Sequence, residues 1–166
     1  MFRLTGVCLL LSAVLGCIVT TDFSDLSDSP PVSPETKQKV DELARKLQVA
    51  LQNKDWPAIA PLYWSGAQMT PEKAKEAYGG EAEQAGSMSK AEIEYTAYDT
   101  SDLVDEVGED VLQDIGAPHE LYRGFADIYY VDPSTKEGLA LTLEIGEENG
   151  QYVILGIYDI YAYDDN

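Results

Sequence analysis

The chain has 166 residues and a formal net charge of −19, with two cysteines and a single histidine. A surface this acidic repels phosphate backbones and anionic headgroups, which argues against nucleic acid as a partner and against membrane binding through protein charge. The length suits one domain with an apolar core of its own.

The N-terminus carries the sharpest signal. Arg3 precedes an apolar run over residues 7–15 that is broken only by Ser12. A positive charge, a short hydrophobic stretch and small residues ahead of a cut point predict a secretory signal peptide. The apolar segment 4–19 falls short of the ~20 residues needed to cross a ~30 Å hydrocarbon core. Val14-Leu15-Gly16-Cys17 then reads aliphatic, variable, small, cysteine. This resembles the lipobox of bacterial lipoproteins, with Leu15 a mild departure from the pattern. The resemblance implies a diacylglyceryl thioether on Cys17, cleavage between Gly16 and Cys17, and acylation of the new amine. Two or three acyl chains, of the palmitate kind, hold a protein firmly at ~0.8 kcal/mol per buried methylene. It also implies a lipid-anchored protein of the cell envelope, with the soluble domain outside the cytoplasm. Ile18, where some systems read Asp as an inner-membrane signal, points to the outer membrane if the source has one. Cys8 would leave with residues 1–16 and Cys17 would be consumed by lipid, so no disulfide is expected.

Residues 17–34 are expected to form the lipidated end and a flexible linker rich in Ser, Asp and Pro. Such a coil holds a domain about 20–25 Å from its anchor. Residues 35–166 are expected to form a single α+β domain. Val40, Leu43, Ala44, Leu47, Ala50 and Leu51 recur at helical spacing and predict an amphipathic helix from near Pro34 to near Asn53. Asp55-Trp56-Pro57 predicts a short capped helix through Trp64. Thr70-Pro71-Glu72 opens a third helix, expected to stop at Gly79-Gly80, with residues 80–90 as loop.

From Ala91 the period becomes two. Ile93, Tyr95 and Ala97 predict one face of a strand. Leu103, Val104, Val107, Val111 and Ile115 return to helical spacing, with acids opposite, until Gly116 and Pro118. Three strands follow. The first places Leu121, Arg123, Phe125, Asp127, Tyr129 and Val131 on one face. The second alternates Leu139, Leu141, Leu143 and Ile145 with smaller or polar residues. Glu148-Asn149-Gly150 then turns the chain into a last strand over residues 151–163. Helices first and hairpin-linked strands last predict helices packed on one face of a curved antiparallel sheet of four or more strands.

That order, with the stretches ALQNKDWPAIAPLYW and GQYVILGIYDI, resembles the nuclear transport factor 2-like domains of the cystatin-like group. The resemblance implies a cone formed by a bent sheet around a long helix. Enzymes of that superfamily, such as ketosteroid isomerase and scytalone dehydratase, place Asp, His or Tyr inside the cone. By that analogy Asp127, beside Arg123, Phe125 and Tyr129, or Asp159, on a strand with Val153, Leu155 and Ile157, could sit in an apolar pocket as a base. The plainer reading pairs Asp127 with Arg123 and leaves Asp159 where the last strand meets solvent. Tyr63, Tyr95 and Tyr129 are candidate pocket walls, with sheet packing as the plainer reading.

His119, between Pro118 and Glu120, reads as a loop residue. No catalytic set assembles around it. No metal site is implied, since histidine clusters and spare thiols are missing, and the acids between Asp99 and Asp114 lack calcium-loop spacing. No cofactor is implied. The expectation is a non-catalytic envelope lipoprotein that binds a protein partner or a small apolar ligand. The alternatives are an isomerase- or dehydratase-like enzyme using Asp127 or Asp159, and a structural envelope spacer.

Overall fold

The computed structural model describes residues 32–84, 88–99 and 116–164. The signal segment, Gly16 and Cys17, nearly all of the linker and the predicted helix after Leu103 lie outside the described residues.

Helix α1 spans Pro34–Gln52. Its start is set by Ser33, whose hydroxyl accepts from the Thr36 amide at 3.1 Å, and by Pro34 in the first turn. At its end, the Asn53 side chain donates to the Val49 carbonyl at 2.8 Å. Val40, Leu43, Ala44, Leu47, Ala50 and Leu51 are all buried, the stripe that the spacing predicts. Asp55 caps α2 (Trp56–Ile59) through the Ala58 amide, and a 3₁₀ turn over Ala60–Leu62 continues it.

Helix α3 runs Pro71–Gln84, four residues past the expected stop. A glycine ends a helix by taking positive φ, and neither Gly79 nor Gly80 does so. Glu81, Ala82 and Glu83 then favour helix, and Ala82 packs on the core.

Four strands, β1 (Glu92–Asp99), β2 (Tyr122–Val131), β3 (Glu137–Glu148) and β4 (Gln151–Asp164), pair antiparallel in sequence order. Asn149 and Gly150 both take positive φ, 53° and 79°, as a two-residue hairpin turn requires. The sheet is neither closed nor strongly curled, which corrects the expected cone. β1 and β4 stand at its two edges, unpaired with one another. A register shift between Ile93 and Tyr95 corrects the expected face of β1 as well. Beyond it, Thr96 is opposite the buried Ile128, and Tyr95 is opposite Tyr129 in register.

One face of the sheet carries the core. Ala126, Ile128 and Tyr130 of β2, and Leu139, Leu141, Leu143 and Ile145 of β3, are buried against the helices. Helix α1 touches β1, β2 and β4, while α3 touches β3 and β4. Buried polar bonds lock this side. The Tyr130 hydroxyl donates to the Ala44 carbonyl at 2.7 Å, and the Tyr63 and Tyr78 hydroxyls share a bond of 2.8 Å. Gln48 and Gln52 both donate to the Ala91 carbonyl at 2.7 Å, which fixes where α1 meets the entry to β1.

A second, smaller cluster lies on the opposite face. Ala117, Val153 and Leu155 are buried there, with Trp64, Leu121 and Tyr122 packed around them. Gly146 makes room for it, since a Cβ there would sit 2.5 Å from Leu155 Cδ2 and 3.0 Å from the Leu121 carbonyl.

Tyr130→Phe, which leaves the packing and removes one buried bond, should cost about 0.5–1.5 kcal/mol. Leu47→Ala, which opens a cavity beneath α1, should cost about 2–5 kcal/mol. Urea unfolding of the two variants checks both values and their order.

Candidate functional site

Because side chains alternate along a strand, the face of the sheet away from the helices is read off the register. Along β3 it presents Gly138, Ala140, Thr142, Glu144 and Gly146. Opposite four of these, β2 sets Val131, Tyr129, Asp127 and Phe125. On the other side β4 sets Tyr161, Asp159 and Gly156 opposite Ala140, Thr142 and Glu144. The result is a column of mostly small residues on the central strand, flanked by aromatic and acidic ones. We call it the outer face.

Adjacent strands are stitched together across this column. The Thr142 hydroxyl donates to Asp127 Oδ1 at 2.6 Å. Tyr129 and Tyr161, on either side of Ala140, are hydrogen-bonded through their side chains. That bond, followed by burial and the nearby Tyr161 and Asp127 charges, raises the Tyr129 pKa.

Glu144 is the unusual member. Only 8% of it is exposed, and its Oε2 has no hydrogen-bond partner. Burial pushes its pKa up, and a side-chain hydrogen bond with Tyr122 only partly offsets this. Tyr122 belongs to the small cluster around Leu155, as does Trp64, whose Nε1 is likewise buried and unpartnered. A carboxyl held this way resists ionisation, because a charge removed from water costs far more than a neutral acid.

The residues singled out in the sequence fall on two sides of the sheet, so they do not line one cavity. Tyr63 belongs to the helix side; it is buried, and its pKa is pushed up to about 12 by desolvation, against the lowering effect of its bond with Tyr78. Asp127 and Tyr129 are on the outer face, half-buried. Tyr95 is opposite Tyr129 in register, and its side chain lies outside the described ones. Asp159 is exposed and accepts from the Ile160 amide at 2.9 Å. Two register shifts between β3 and β4 divide Val153, Leu155 and Ile157, which share the strand of Asp159, between the two faces of the sheet. Ile157 packs on the helix-side core, whereas Val153 and Leu155 build the outer cluster. Arg123 pairs with Glu147 at 3.1 Å, not with Asp127. His119 sits in a 3₁₀ turn, His119–Leu121, outside this face.

The chain matches no family model, no curated protein and no solved structure.

Among the described residues no group of three His, Cys, Asp or Glu side chains is placed to hold a metal, and no helix is long and apolar enough to cross a membrane. An open groove of about 270 Å³ lies elsewhere, between α1, the 60–62 turn and the β3–β4 hairpin. Leu43 and Leu62 help form its lining, with Lys39 and Lys46 alongside. The Lys39 ammonium is 5.9 Å from the Tyr152 ring centre and bridges to Glu35 at 2.9 Å, so that lysine is already engaged.

The sequence does not mark Glu144, which falls on the expected polar side of its strand. Nothing local marks a polar-side residue that the fold buries.

The raised pKa of Glu144 fixes the sign of a pH effect. The folded state holds the proton more tightly than the unfolded state, so this group's contribution is complete below the ordinary Glu range and is lost as pH rises through the raised value. Glu144→Gln should remove that decline, leaving unfolding free energy flatter from about pH 4.5 upward than in the wild type. Urea titrations at stepped pH measure it; a slope unchanged by the substitution would contradict the assignment.

Proposed function

We propose that this chain is a lipid-anchored protein of the bacterial cell envelope whose single domain binds a ligand or partner without transforming it. The sequence supports the anchor: Cys17 follows a hydrophobic segment too short to span a bilayer and a small residue at the cut point. The α+β domain supports the binding role. Its carrying observation is that the space beneath the sheet, where a cone-type enzyme would keep its carboxylate, is packed by α1 and sealed by the bond from Tyr130 to Ala44. Asp127 and Asp159 are on the opposite face, where one is satisfied by Thr142 and the other is exposed.

The order of helices and meander is what supports a nuclear transport factor 2-like ancestry, with the cone opened into a sheet. The linker would set the distance between lipid and domain, which leaves the outer face free to meet its target.

A proton-transfer enzyme is the second reading, and one observation favours it. Glu144 has the burial and raised pKa expected of an acid–base group, although it is not one of the carboxylates that the superfamily analogy selects.

Cys17→Ser tests the anchor. In cells fed labelled palmitate, the wild type should incorporate label and the variant should incorporate none and accumulate as precursor. Normal processing of the variant would contradict the lipoprotein reading.

A further inference from the structure

We propose that the outer edge of β4, from Tyr158 to Ala162, is a docking site for an extended basic peptide, which adds to the sheet as a further strand. The inference deepens the binding role proposed above and rests on it, but not on the lipid anchor.

The first half of this edge is covered. Tyr63 bridges to Ile154, and the Trp64 amide donates to the Ile154 carbonyl at 3.1 Å. Further along, no strand among the described residues pairs with β4 on the side away from β3. From Asp159 to Asp164 the pairing with β3 runs without a shift, so the edge there is regular. In an antiparallel ladder the backbone groups of alternate residues point away from the neighbouring strand. The Ile160 amide is one of these: it donates to the side chain of Asp159, its own neighbour, at 2.9 Å. Ala162 is the next in the alternation. An incoming strand finds such outward groups at intervals of about 6.6 Å.

The chemistry of the edge selects the occupant. A neutral strand would take the Ile160 N–H and return the Asp159 carboxylate to water. A basic strand takes the amide with its carbonyl and the carboxylate with an ammonium or guanidinium, which makes two bonds where one is given up. Tyr158 adds a second reason. It stands at the register shift, 62% exposed, and the face of a tyrosine attracts a cation. Tyr158 to Ala162 includes no Lys or Arg to satisfy either group from within the stretch. A second copy of this chain fits badly, since it brings another net charge of −19 and its own Asp159. A carboxylate on an edge can also act only as a guard against self-pairing. A guard admits no strand, whereas a docking edge admits a basic one.

Fluorescence anisotropy of the full chain with a labelled peptide of alternating lysine and threonine tests this, at about 0.15 M salt to screen distant charges. The control peptide alternates the same number of lysines with proline, which cannot join a sheet as a regular strand. The lysine–threonine peptide should bind saturably and at least about tenfold more tightly than the control. Asp159→Asn should weaken it severalfold, while Asp41→Asn, on helix α1, should leave it unchanged. Hydrogen exchange at the Ile160 and Ala162 amides should slow when the lysine–threonine peptide is bound and stay unchanged with the control. The proposal is overturned if the two peptides bind alike, as adsorption to an acidic surface would have it, or if neither saturates. It is equally overturned if the two Asp variants behave alike, or if the two amides exchange as fast with the peptide as without. Should Asp159→Asn fail to fold by circular dichroism, exchange in the wild type decides. A wild-type dimer with these amides protected before any peptide is added would give the edge to a second copy and end the proposal. Failure here strikes the β4 edge alone, because the labelling of Cys17 is read separately.

Discussion

The whole arrangement depends on helix α1 lying across one face of the meander, with Leu47 and its neighbours buried and the Tyr130 hydroxyl tied to the Ala44 carbonyl. A tyrosine with no exposed surface must find an acceptor for its hydroxyl, and here the partner is the helix backbone. That bond fixes how α1 is seated over β2, while the pair from Gln48 and Gln52 to Ala91 fixes it over the entry to β1. Once α1 is seated, the helix side is full. Any chemistry involving Asp127, Asp159 or Glu144 then takes place on the other side of the sheet.

The central strand gives the outer face its character. β3 has a neighbour on both sides, so its side chains are hemmed in even on the face away from the described helices. Ala140 is buried beneath the flanking tyrosines, and Glu144 is buried beside the small cluster around Leu155. Extra residues in β4 at Leu155 and Tyr158 shift its register twice. These shifts let Leu155 join the outer cluster and leave Tyr158 projecting, 62% exposed. Gly146 is small because Leu155 occupies the space its side chain would need.

Much of this was legible in the sequence wherever a single element determines its own pattern. The stripe of α1, the alternation of Leu139 through Ile145 and the Asn149-Gly150 turn each follow from local periodicity or from φ preference. The failures share a cause. Gly79-Gly80 looked like a stop because glycine permits the left-handed turn, yet packing of Tyr78 and Ala82 carries the helix onward. The shift between Ile93 and Tyr95, and those in β4, are set by the neighbouring strand and leave no mark in the alternation. Tyr63 and Asp127 both have the chemistry of pocket walls, yet the sheet separates them, a fact that only the tertiary arrangement holds. Glu144 is the same problem in reverse: polar in pattern, buried in fact.

The central claim is that the sheet has one sealed face and one available face, and its tyrosines report on both. Graded nitration with tetranitromethane, mapped by peptide mass spectrometry, measures this directly. Exposure and ionisation act together, because Tyr78 and Tyr130 are fully buried and burial raises the pKa of each, while Tyr158 and Tyr161 are exposed. The account predicts that Tyr158 and Tyr161 react first and that Tyr78 and Tyr130 stay unmodified until the protein unfolds. Nitration of Tyr130 in the folded chain at the rate of Tyr161 would contradict it.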